Sequence, residues 1–321
     1  MFDFFGQILF PFKWLVSAIM LGFHEGLTFL GLPGDNGWTW TLSIIGLVIV
    51  IRAALIPVFV KQIKAQRGMQ ALQPEMKKLQ EKYKGKTDQL SRQAMAQEQM
   101  ALYKSHGTNP FSACLPILIQ MPFFFSLFQV LSGVSKANQD GQGIGVLSHT
   151  QIQQFDDANI LGAPLSKAFL PQIQGGDPNV SVIVLSIIMI LAMIASQFIT
   201  QKQIMAKNMS EDAMASPFMR QQKMMLYILP LVFGIGGINF PIGVLIYWTT
   251  TNLWTMGQQF FVIRRMPTPG SPAYKEYMQR RAAKCLPLIG AKKKAETEVV
   301  EEAVELKGQR TQPQRKNRRK K

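Results

Sequence analysis

Charge is almost missing from several runs of about 20 residues in this 321-residue chain, and that feature excludes most soluble folds. A helix in water needs polar side chains on its outer face, so long charge-free runs point to lipid as the solvent. Five runs read as membrane spans: 41–60, 112–131, 180–200, 224–240 and 242–263. A 20-residue helix rises roughly 30 Å, the thickness of the hydrocarbon layer. The fourth run is short, and its Gly234, Gly236 and Gly237 suit close packing against the fifth. Only a tight turn around Asn239, Phe240 and Pro241 separates the two.

The connectors set the orientation. Segment 61–110 holds ten Lys/Arg against four Asp/Glu, 133–179 two against four, and 201–223 four against two. From residue 264 onward there are 17 basic and six acidic residues. Basic connectors stay in the cytoplasm, so 133–179 is external and the C-terminus is inside. The net charge of +16 sits beside spans and in the tail, a placement that fits anionic lipid headgroups and topology better than a DNA-binding face. The tail, 264–321, ends in Arg315, Lys316, Arg318, Arg319, Lys320 and Lys321 and has no apolar face, so disorder is expected, with ribosomal RNA as a further partner.

The opening segment, 1–40, is apolar enough to span, but Lys13, Ser17, His24 and Thr28 recur along one helical stripe with Glu25 beside it. The stripe favours a helix lying in the interface, anchored by Trp14 and Phe23, over a sixth span. It resembles a signal peptide only superficially, because no basic stretch precedes it, and it reads as mature protein. Segment 61–110 reads as a cytoplasmic helical hairpin. Met69, Leu72, Met76, Leu79 and Tyr83 form a seam, Pro74 marks a start or kink, Gly85 breaks the pattern and Thr87 caps the second helix. The external segment, Gly-, Gln- and Asp-rich without a period, reads as a loop with one short helix. Cys114 and Cys285 give neither a disulfide framework nor metal-ligand spacing, and the three histidines are scattered. No cofactor or metal is implied, and no Gly-x-x-x-x-Gly-Lys loop is present to bind a nucleotide.

Arg52 lies in the first span, about two residues to the cytoplasmic side of its middle. The nearer bilayer edge is then on the order of 13 Å away, beyond the reach of a snorkelling side chain. An arginine there costs about 2.5–3.5 kcal/mol on insertion scales. None of the five spans contains an Asp or Glu, so a buried ion pair within the spans has no partner. The polar residues that remain are neutral: Gln120 and Gln129, Ser196 and Gln197, and Thr249, Thr250, Thr251, Asn252 and Gln258. Several of these are explained by ordinary interhelical hydrogen bonds. Together with Arg52 they suggest a hydrated, positively charged groove, with Arg52, Gln120, Gln197, Thr251 and Asn252 as its binding residues. Such a groove draws an acidic or polar segment into the membrane by Coulomb attraction. An anion-binding transporter and a scaffold subunit are the alternatives, although no internal repeat supports the former.

Specific segments then match a known pattern: Ile51-Arg52-Ala53 through Pro57, Leu72-Gln73-Pro74, Ala101-Leu102-Tyr103-Lys104 leading to Asn109-Pro110, the run Cys114 to Phe123, Phe240 to Trp248, Asn252-Leu253 and Gln258-Gln259. In order and spacing these resemble the YidC/Oxa family of membrane protein insertases, from Phe10 to about Met266. The resemblance implies an all-α polytopic membrane protein: a five-transmembrane-helix insertase core with an N-terminal interfacial helix and a mobile cytoplasmic helical hairpin. It implies that Arg52 contacts incoming substrate, and that the second and fifth spans form a greasy slide at Met121, Phe124, Tyr247 and Trp248. Implied partners are nascent membrane proteins, the Sec translocon and, through the basic tail, the ribosome. The plasma membrane of a Gram-positive, actinobacterial-type cell is the implied location. Val48 stands where some relatives carry a groove threonine, and Trp248 where some carry a tyrosine.

Overall fold

A computed structural model describes residues 2–109, 115–175, 177–209 and 217–284. Among these are twelve helices and one two-stranded hairpin. The helices are α1 (Phe2–Phe29), α2 (Gly37–Ala54), α3 (Ile56–Ala71), α4 (Gln73–Lys82), α5 (Gln89–Ser105), α6 (Leu115–Gln139), α7 (His149–Asp157), α8 (Phe169–Gln174), α9 (Val180–Asn208), α10 (Pro217–Gly237), α11 (Ile242–Arg265) and α12 (Pro272–Ala283). Antiparallel strands β1 (Asn159–Ile160) and β2 (Ala163–Pro164) form the hairpin. The chain is a multi-pass membrane protein: four stretches, Gln7–Phe29, Gly37–Ala54, Leu118–Gln139 and Val180–Asn208, are long and apolar enough to cross a bilayer. They do not include α11, whose Thr249, Thr250, Thr251 and Asn252 depress its hydropathy.

Local chemistry fixes the element ends. Asn36 accepts from the Trp38 N–H and caps α2; Asn179 accepts from the Val182 N–H and caps α9. The expected span 41–60 is broken at Leu55, between α2 and α3. Pro57 has no N–H to give the Ala53 carbonyl and its ring crowds that turn, which disfavours regular helix there. The second hairpin helix starts one residue later than Thr87 suggested: Asp88 is the cap, its carboxylate accepting from the Ser91 N–H at 2.8 Å. Lys82 donates to both Glu98 oxygens, at 2.6 and 2.8 Å, and the Tyr83 hydroxyl to one at 2.8 Å, which ties α4 to α5. Two further expectations change. Helices α6 and α9 run past the expected ends at 131 and 200, and Pro272–Ala283 of the tail is helical, not disordered. Residues 285–321 of the tail, with Cys285, lie outside the described residues, as do Cys114 and the Met69 side chain.

The polar stripe on α1 turns inward at its middle only, since Lys13 is half-buried and Thr28 and Glu25 are exposed. Ser17 and His24 are buried, while Phe10, Trp14, Phe29 and Leu30 are exposed. The Ser17 hydroxyl donates to the Lys13 carbonyl and accepts from the Val146 N–H. His24 bonds the Gly34 carbonyl through Nε2 at 2.8 Å and stacks on Trp40 at 3.9 Å. Ser17 and His24 are therefore helix-packing residues, while Thr28 and Glu25 stay on the surface.

Segment 133–179 is not a loop but an ordered cap. Ser148 and Gln151 form a reciprocal capping box at the start of α7. The Leu165 and Lys167 carbonyls accept from the Gly243 and Ile242 N–H groups, both at 2.9 Å, satisfying the orphan donors at the head of α11. Phe155 inserts below, against Trp40 and Gly243. The main core joins this cap to α1, α2, α6 and α11 through Met20, Trp40, Leu47, Leu131, Phe155 and Leu245.

Candidate functional site

Arg52 occupies the last turn of α2 and is 9% exposed. Its guanidinium carbon lies 5.7 Å from the centroid of the Phe59 ring on α3, a cation–π distance. Among the described residues no ion pair or hydrogen bond to it is present, as the carboxylate count in the sequence led one to expect.

The residues around Arg52 enclose a chamber lined by Val16 of α1, Leu47, Val48 and Ile51 of α2, Gln120, Phe123 and Leu127 of α6, and Tyr247 and Thr251 of α11. Its volume of ≈ 10 Å³ is on the order of a single water. This small, mostly apolar pocket lies where the sequence placed a hydrated, positively charged groove. Gln120 Nε2 donates to the Tyr247 hydroxyl at 3.1 Å, bridging α6 and α11 across it. Gln120 Oε1 is buried with no partner among the described residues. The Gln120 amide oxygen is thus an unsatisfied acceptor in an apolar wall, beside a cation held only by a ring face, which is costly until a polar group arrives.

Beside the chamber runs an aromatic ladder. Phe124 meets Trp248 edge-on at 5.2 Å and Tyr247 at 6.4 Å. Phe128 meets Phe240 at 5.4 Å, and Phe240 stacks on Trp248 at 5.5 Å. Phe233 of α10 closes on Trp248 at 5.0 Å. Such pairs contribute about 0.5–1.5 kcal/mol each beyond burial, yet have no fixed polar geometry to break when they slide.

The structure brings together Arg52, Gln120, Tyr247 and Thr251 in one chamber, and Phe124, Tyr247 and Trp248 in one ladder. Met121 is apart from both, turned outward and 43% exposed. Gln197 and Asn252 do not line the chamber; Gln197 Oε1 and Asn252 Nδ2 are buried without partners among the described residues. Sequence reasoning missed Val16 and Phe123 in the chamber and Phe128, Phe233 and Phe240 in the ladder. The signal for the ladder was present, since Phe124 and Phe128 are one turn apart on one helix face. Val16 carried none.

A family model described as 60Kd inner membrane protein matches residues 32–269. A protein named membrane protein insertase YidC from Streptomyces avermitilis is 50% identical over 83% of this chain, which spans 60% of that protein's length. One of the same name from Tropheryma whipplei (strain Twist) is 43% identical over 100% of this chain and 98% of its own. Its namesake in Mycobacterium tuberculosis (strain ATCC 25618 / H37Rv) is 36% identical, over 92% and 82%. Among solved structures, "Active YidC insertase crystal structure with the first transmembrane domain resolved" is similar at a TM-score of 0.48 and 22% identity, over 77% of this chain and 46% of that one.

Proposed function

The chain belongs to the 60Kd inner membrane protein family, and from that premise we propose that it inserts the spans of other proteins into the bilayer without covalent chemistry. The observation that carries the reading is Arg52, a buried cation with no carboxylate partner among the described residues. Its counter-charge comes from outside: an acidic or polar flank of a substrate span. A carboxylate about 4 Å away gains about 4 kcal/mol at an effective dielectric of 20, comparable to the insertion cost of the arginine itself. The chamber is too small for a peptide, so substrate enters when α6 and α11 part and the Gln120–Tyr247 hydrogen bond opens. The apolar part of the substrate then follows Phe124, Tyr247 and Trp248, with the exposed Met121 at the lipid edge, out of the protein.

In this reading α2, α6, α9, α10 and α11 are the core spans, with the α3–α5 hairpin and the C-terminus in the cytoplasm. Gln197 and Asn252 offer unpaired polar atoms to a substrate once the core opens. The basic tail meets the ribosome and anionic lipids, and the Sec translocon is a partner for larger substrates. The test is insertion of a small membrane protein with an acidic tail in cells depleted of the wild-type protein. Arg52→Ala should lower insertion about tenfold or more, equivalent to about 1.4 kcal/mol, and Arg52→Lys should retain part of it. Normal insertion by Arg52→Ala would remove the arginine from the mechanism. Saturable anion uptake into proteoliposomes would replace the insertase by a transporter.

A further inference from the structure

The turn between β1 and β2 carries an anomaly. A two-residue hairpin turn needs positive φ at its centre, which favours Asn-Gly or Gly-Gly. Here the pair is Leu161 (φ 52) and Gly162 (φ 80). Leu161 is the one non-glycine residue with positive φ among those described, and it is 70% exposed. Leucine is therefore neither preferred by the backbone nor used in packing at this position.

Its surroundings supply a use. Gly162 O accepts from Asn179 Nδ2 at 3.3 Å, and Asn179 is the N-cap of α9. A Cβ on Gly162 would lie 3.0 Å from Ser181 Oγ, so the tip rests on the first turn of α9. From that turn Val180, Val184, Ile188 and Leu191 run down α9 as an exposed apolar stripe on a helix long enough to cross a membrane. Leu161 adjoins Gly162, which touches the head of α9 at Asn179 and Ser181, and is itself exposed. We propose that the hairpin tip is an interfacial anchor, with Leu161 seated in the outer leaflet at the boundary of headgroups and acyl chains. The occupant is lipid because the tip rests on the first turn of a helix whose exposed face is apolar from Val180 to Leu191. The anchor holds the cap against the membrane where α9 enters it. It rests on the reading of α9 as a span whose N-terminus is external.

The experiment uses the full-length protein with Cys114→Ser and Cys285→Ser, and single cysteines at 161, 188 or 142 carrying an environment-sensitive fluorophore. In vesicles of pure phosphatidylcholine and phosphatidylglycerol, the probe at 188 should be quenched by spin labels deep in the acyl chain. The probe at 161 should be quenched by labels near the headgroup and be several-fold less open to aqueous iodide than the probe at 142. A probe at 161 as open as that at 142, with 188 deep, would overturn the anchor alone. A water-exposed probe at 188 would overturn the span reading and the anchor with it. Shielding of 161 in native membranes but not in pure lipid would assign the tip to a protein and overturn a lipid occupant. Leu161→Asn separates folding from anchoring, since asparagine accepts the left-handed conformation more readily. Its Tm in detergent should be unchanged or higher, while a probe at Asn159 in vesicles becomes more open to iodide; a lower Tm would make Leu161 a packing residue and sink the proposal.

Discussion

Single residues divide into those visible in one dimension and those that are not. Arg52 was legible because a charge in an apolar run stands out however the chain folds. Val16 was not: its role at the chamber wall comes only from α1 crossing α2, and no chemistry marks one valine among many. Glycines show the same contrast. Gly145 takes φ +63 and a Cβ there would lie 2.2 Å from Ser17 Oγ, whereas at Gly22 nothing lies within 4 Å. Gly145→Ala should destabilise the protein by about 1–3 kcal/mol, and Gly22→Ala should be neutral or stabilise it by roughly 0.5–1 kcal/mol, as read by thermal unfolding in detergent. Tyr247→Phe leaves the Gln120 amide without its acceptor and should cost about 1–3 kcal/mol in the same assay.

At the scale of elements, the sequence showed periodicity but not its sign. The stripe on α1 is real, yet in a membrane protein the polar face turns to the interior and the apolar face to lipid, the reverse of a soluble helix. The cap failed to show because its order rests on terminal hydrogen bonds, not on a repeat. Its one local signature was the pair Ser148 and Gln151, three residues apart. Asp156 fastens α7 to α6, accepting from Ser135 at 2.8 Å and Asn138 at 2.9 Å. Burial pushes its carboxyl up, but hydrogen bonds from Ser166, Asn138 and Ser135 outweigh this and leave it below the usual range. A lowered folded pKa stabilises the cap above the unfolded value, about 3.9, and that contribution is lost as pH falls through the lowered value. Protection of the amides in residues 133–160, taken relative to intrinsic exchange at each pH, should fall below about pH 4. Asp156→Asn should exchange faster at neutral pH and lose the acid dependence.

The whole molecule carries a net charge of +16, with 17 basic residues from 264 onward, so its attraction to anionic surfaces is concentrated at one end. Removing residues 293–321 should weaken binding to anionic vesicles or ribosomes in a salt-sensitive way and leave the Tm of the helical core unchanged. The overall fold was the most legible level, because spans and their charged connectors are written as long blocks, while the single-water chamber depends on side chains from four separate blocks. Under the proposed insertase mechanism that chamber has a kinetic consequence. A protein whose resting shape excludes its own substrate binds through a minority conformer, and its apparent affinity is the intrinsic one reduced by the fraction open. If about 1% of molecules are open, affinity is weakened about a hundredfold, and whatever holds α6 and α11 apart returns it without touching the substrate. A cross-linker long enough to wedge those helices open should therefore speed capture while slowing release, converting a catalyst of insertion into a trap.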